Sequence, residues 1–138
     1  MNDHLFVYGS LISAVAHPKG ERLRNEAALV GAASLQGRLY KVTWFPAMVL
    51  SDAPGDQVHG EVYRMANPDA SLAWLDEYEG IVRGPQSVTA QNAYSRDEVA
   101  VTMADGRRLL TWTYVYRRDV GGFEHRADEG HLDIDHVT

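Results

Sequence analysis

Glu79 stands where a carboxylate is least comfortable. The segment from Asn67 to Gly80 reads as one short helix: Asn67 can cap its start, Pro68 suits the first helical position, and Gly80 suits a left-handed exit. At about 100° per residue, Leu72, Leu75, Asp76 and Glu79 share one stripe. The stripe expected to meet the core therefore ends in an acid, at the end of the helix dipole that disfavours negative charge. Burial and the dipole both push a carboxyl pKa upward, toward the range of a general base. The competing reading is an exposed Glu that swings into water, and the helix pattern alone does not choose between them.

A second feature with chemical potential lies near the start. His4-Leu5-Phe6-Val7-Tyr8 is a short apolar run ended by Gly9-Ser10, which reads as a buried strand entering a tight loop. Backbone N–H groups in such a turn can converge on a carboxylate or an oxyanion. Gly9 permits close approach and the Ser10 hydroxyl adds a donor. A plain strand-ending turn is the alternative. The histidines are scattered at positions 4, 17, 59, 125, 131 and 136, and His125, His131 and His136 lack a compact ligand spacing, so no metal site is expected. No phosphate-binding glycine motif is present.

These residues must be carried by a single small domain. A chain of 138 residues with 45% hydrophobic and 23% charged residues suits one core. With a net charge of -6, and with its basic pairs Arg107-Arg108 and Arg117-Arg118 flanking a strand, the chain is not expected to bind nucleic acid or anionic membranes. No apolar run approaches membrane-spanning length, and the first residues do not read as a signal peptide, so the expected location is the cytoplasm. The absence of Cys excludes disulfides and a thiol nucleophile.

Along the chain, residues 11–26 admit a short irregular helix. Residues 27–35 and 37–42 read as two strands broken at Gln36-Gly37, and 47–50 as a third entered through Phe45-Pro46. Residues 52–56 form a turn. Residues 58–65 follow as a strand in which Gly60 signals a bulge or a close backbone approach. After the helix, 87–90 has strand character. Residues 98–103 and 109–116 flank a hairpin at Asp105-Gly106, with Leu110, Trp112, Tyr114 and Tyr116 on one face of the second strand. The reading is a domain over residues 1–120 and an acidic tail over 121–138, loosely packed or partly disordered. The fold class is α+β with a curved or barrel-like mixed sheet.

Several segments, taken in order, are similar to a known pattern. They are Val7-Tyr8-Gly9-Ser10-Leu11, Gly37-Arg38-Leu39-Tyr40, Phe45-Pro46-Ala47-Met48-Val49, Val58-His59-Gly60-Glu61-Val62-Tyr63, Leu75-Asp76-Glu77-Tyr78-Glu79-Gly80, Tyr94-Ser95-Arg96 and Trp112-Thr113-Tyr114-Val115-Tyr116. From Leu5 to Tyr116 the chain resembles the γ-glutamylcyclotransferase-like family, which includes γ-glutamylamine cyclotransferases. Each motif is weak alone. The ordered set is far more specific, with the Leu-Asp-x-x-Glu-Gly helix end about seventy residues after the glycine loop.

The resemblance implies a mixed barrel with a few helices, a cavity at one end, no cofactor, and Glu79 as the catalytic acid/base. It implies a small γ-glutamyl compound as substrate, whose α-amine attacks its own γ-carbonyl to release 5-oxoproline and an amine or amino acid. Tyr8, Gly9, Ser10 and Leu11 become the anion-binding loop, for either the α-carboxylate or the oxyanion. Tyr94 and Tyr116 match aromatic positions of the family and are expected to line the cavity, with Pro46 shaping its wall. Asp76 is expected to be structural, and Glu61 to pair with a cation. Three rivals stay open: cleavage of another amide or ester by the same carboxylate, a binding module without turnover, and a structural domain whose motifs only preserve the barrel. The leaving group and the oligomeric state are not specified.

Overall fold

The computed structural model describes residues 2–8, 18–42, 45–78, 94–116 and 124–125. In chain order the elements are β1 (His4–Val7), α1 (Pro18–Glu26), β2 (Ala27–Val42), β3 (Phe45–Leu50), β4 (Gln57–Met65), α2 (Pro68–Tyr78), β5 (Tyr94–Met103), β6 (Arg108–Tyr116) and β7 (Glu124–His125). The segment 87–90 lies outside the described residues, as does most of 121–138.

Five strands close on themselves. Antiparallel pairing joins β4 to both β2 and β1, and β1 runs parallel to β6 through Leu5 opposite Trp112. The β5–β6 hairpin turns at Asp105-Gly106 as expected, with Gly106 at a φ of 91° that favours glycine. Closure comes where β5 meets β2, with Ala33 opposite Met103 and Ser34 opposite Thr102. The result is the barrel-like mixed sheet anticipated from the sequence, with β3 and β7 paired to the far half of β2.

The ring is filled, as a barrel this narrow must be. Phe6, Ala33, Leu35, Val58, Val62, Val101, Met103 and Val115 form one buried cluster. Thr111 and Thr113 are also fully buried, and the Thr113 hydroxyl is satisfied by donating to the Phe6 carbonyl at 3.0 Å. Gly60 marks a close approach rather than a bulge: a Cβ there would collide with the Val7 carbonyl and lie 2.8 Å from the Phe6 ring. The bulge falls across the ladder, between Leu29 and Gly31.

One expectation is corrected. Residues 27–42 make a single strand, not two broken at Gln36-Gly37. The chain changes partner there, from β4 up to Gln36 to β3 from Gly37 onward. Gly37 is needed for proximity, because a Cβ would sit 2.6 Å from the Val49 carbonyl oxygen. β3 also begins earlier than expected, at Phe45, with Pro46 opposite Lys41 at the end of the sheet order, where a residue lacking an N–H is tolerated.

The helices build the second layer. Leu5, Val7, Tyr63, Met65, Tyr94, Tyr114 and Tyr116 turn away from the ring and pack with Leu23 of α1 and with Leu72, Trp74 and Leu75 of α2. The start of α2 is capped as expected, the Ala70 N–H donating to Asn67 Oδ1 at 3.3 Å. Among the described residues no helix is long and apolar enough to cross a membrane.

Candidate active site

The last turn of α2 is tied to the sheet by a buried carboxylate. Asp76 lies on the apolar stripe with Leu72 and Leu75 and is only 7% exposed. Its Oδ1 accepts two hydrogen bonds, from Arg96 Nε at 2.9 Å and from the Tyr114 hydroxyl at 2.6 Å. The Arg96 guanidinium also lies over the Trp112 ring, 4.6 Å from its centre.

Strand register explains why these groups meet. Arg96 of β5 is the cross-strand partner of Tyr114 of β6. Two residues along, on the same face, Tyr94 is paired with Tyr116. Their rings meet edge to face at 5.3 Å, and both residues are buried. The structure thus brings together Tyr94 and Tyr116, the two aromatic candidates, one cross-strand pair away from the groups that hold Asp76.

The other candidates distribute as follows. The Tyr8 hydroxyl donates to the Tyr114 carbonyl at 2.6 Å, and its ring is tilted against Phe6 at 6.4 Å. This links the end of β1 to the same stretch of β6. Pro46 belongs to β3. Glu79 directly follows Tyr78, the last residue of α2; Glu79 and the loop residues Gly9, Ser10 and Leu11 lie outside the described residues.

A second polar group sits on the outer face of β4. The Tyr63 hydroxyl donates to Glu61 Oε1 at 3.4 Å. Burial raises the Tyr63 phenol above its ordinary value and the Glu61 charge adds to this, while Arg24 opposes it. Among the described residues no group of three or more His, Asp or Glu side chains is placed to hold a metal ion.

Arg96 and Tyr114 are the residues that sequence reasoning left without a role. The signal for their pairing was present, because counting outward from the three-residue turn Ala104-Asp105-Gly106 places them opposite each other. Their convergence on Asp76 was not readable, since it depends on how a helix packs across two strands.

Comparison with known proteins places this arrangement. The family model described as gamma-glutamyl cyclotransferase, AIG2-like, matches residues 5–134, beyond the Tyr116 limit of the sequence resemblance. No curated protein sequence matches. Among solved structures, the protein ytfP from Escherichia coli is 31% identical with a TM-score of 0.61, over 96% of this chain and 98% of that one. An AIG2-like protein from Mus musculus shares the fold with a TM-score of 0.66 at 20% identity, over 90% of this chain and 85% of that one. YkqA from Bacillus subtilis shares it with a TM-score of 0.61 at 24% identity, over 85% of this chain and 36% of YkqA, so this chain spans about a third of that protein's length. With the family model covering nearly the whole sequence, the chain belongs to the gamma-glutamyl cyclotransferase, AIG2-like family.

Proposed function

We propose that this protein cyclises a small γ-glutamyl compound, releasing 5-oxoproline and a free amine or amino acid. The observation that carries the reading is the family match across residues 5–134, which spans both the Gly9 loop and Glu79. The nucleophile resides in the substrate, so the protein needs to supply little more than proton transfer, an anion site and shape.

In this reading Glu79 removes a proton from the substrate ammonium. The freed α-amine attacks the γ-carbonyl carbon, forming the ring C–N bond. The tetrahedral oxyanion collapses, the original amide C–N bond breaks, and Glu79 returns the proton to the departing amine, which also takes up the second proton shed by the ring nitrogen and so leaves as an ammonium. One C–N bond forms and one breaks, with no water consumed. The Tyr8-Gly9-Ser10-Leu11 turn supplies N–H donors to the substrate anion, and the Tyr94–Tyr116 pair offers a rigid aromatic wall. Pro46 is assigned to shaping the cavity wall and does no chemistry. The reading involves no cofactor and places the reaction in the cytoplasm.

A mass-spectrometric screen for 5-oxoproline over γ-glutamyl amino acids, γ-glutamyl polyamines, glutathione and γ-glutamyl-lysine tests the proposal, with Glu79→Gln beside the native protein. Release by the native protein alone supports it, and the best substrate names the leaving group. Absence of release from every member by folded native protein would refute it.

A further inference from the structure

Asp76 is an unusual way to fasten a helix. A carboxylate in the last turn faces the negative end of the dipole, and burial removes it from water. Both penalties are offset by Arg96 and Tyr114, which converge on a single oxygen. Yet the arrangement is not tuned for stability. Arg96 Nη1 is buried without a hydrogen-bond partner among the described residues, a penalty that an apolar contact would avoid. Buried ion pairs of this kind often add little net stability compared with apolar packing; their best-attested use is to fix one geometry among several.

The geometry fixed here is specific. Asp76 lies two residues before the end of α2 and three before Glu79. Its partners come from both strands of the β5–β6 pair, so the bond reads their register as well as the helix position. The next pair on that face is Tyr94–Tyr116. Trp112 stacks beneath the guanidinium and limits where it can move. A shift of the helix end would break two bonds to one atom, whereas apolar contacts alone would let Leu72 and Leu75 slide.

We infer that Asp76, held by Arg96 and Tyr114, is a positioning residue. It sets where the end of α2, and hence Glu79, stands relative to the Tyr94–Tyr116 wall. The inference rests on the cyclotransferase reading above. It assigns no proton transfer to Asp76: the role is to keep the base in near-attack geometry, which small displacements degrade steeply.

The test is steady-state kinetics on the best γ-glutamyl substrate for the native protein, Tyr114→Phe, Asp76→Asn, the double variant and Glu79→Gln. Each rate is divided by the folded fraction, and thermal midpoints are recorded. Tyr114→Phe removes one hydroxyl, keeps the ring and leaves Asp76 bonded to Arg96, so the fold persists. It is expected to lower kcat about tenfold while KM stays within about twofold. Asp76→Asn lowers kcat further, and adding Tyr114→Phe to it changes little more, because both act on one atom. Native kcat in folded Tyr114→Phe, with Glu79→Gln inactive, overturns this inference and leaves the cyclotransferase reading standing. Additive losses that follow the thermal midpoints also overturn it, since they mark a purely structural role. A native protein inactive on every substrate removes both.

Discussion

Helix α2 is docked by two carboxylates that use the same device in different surroundings. Along its first and middle turns, Glu26 from α1 accepts hydrogen bonds on one oxygen from the Ser71 hydroxyl at 2.7 Å and the Trp74 indole at 2.8 Å. Along its second half, Asp76 of the helix itself accepts two on one oxygen from the sheet. The Glu26 side chain is 32% exposed and its other oxygen takes Arg22, four residues earlier on the same helix. The Asp76 side chain is 10% exposed and its cation comes from a strand. The Glu26 contact ties helix to helix at the rim, with Arg22 also lying over the Trp74 ring at 4.5 Å. The Asp76 contact ties the helix to two strands inside the second layer. The first has room to adjust and the second does not. Precision is therefore concentrated at the end of α2 that leads into Glu79.

The largest expected effect lies just past the precise end. Glu79→Gln keeps size and polarity but cannot accept the ammonium proton, so turnover should fall by ~10²–10⁴-fold with the melting curve unchanged. Retained turnover would strip the second carboxylate contact of anything to position. The Asp76 and Tyr114 variants come next in size. Their signature is loss of kcat without proportional loss of stability.

Glu26→Gln is the matched control, and it should reverse that signature. It weakens charge-assisted bonds to Trp74, Ser71 and Arg22 while retaining an acceptor oxygen. The expected result is a loss of about 1–2 kcal/mol in denaturant melts, with kcat per folded molecule as in the native protein. A kcat drop matching that of Tyr114→Phe would mean that both contacts position the helix equally, and the contrast would fail.

Much of this frame was legible in the sequence, for reasons that also explain what was not. The Asn67 cap, the Asp105-Gly106 turn and the apolar stripe of α2 are local, so residue type and period were enough. Glycine misled at Gly37, because proximity and chain breaking leave the same mark in a sequence. At Gly60 both readings were open, and only the Val7 carbonyl and Phe6 ring decide between them. Asp76 could be placed on the buried stripe by counting, but its partners lie 20 and 38 residues away. A buried acid announces that it needs partners. Which ones it finds depends on strand register and helix docking together, and no single periodicity encodes both.

The smallest expected effect separates the two carboxylates by pH. Hydrogen bonds from Trp74 and Ser71 hold the Glu26 carboxyl below the ordinary glutamate range, against the opposing effect of burial. A depressed folded-state pKa means that, on acidification, the unfolded chain takes up this proton first. The contribution of Glu26 is therefore complete above the unfolded value of about 4.3 and is lost as pH falls through the lower folded value. Glutamine has no such dependence. The stability gap between native protein and Glu26→Gln should be constant from neutral pH down to about 5, then narrow steadily toward pH 3. Urea melts at half-unit intervals would show it. A gap that keeps its full size at the acid end would mean that the bonds to Ser71 and Trp74 do not depend on the Glu26 charge. The rim contact would then be an ordinary neutral hydrogen-bond pair, and the difference between the two ends of α2 would rest on burial alone.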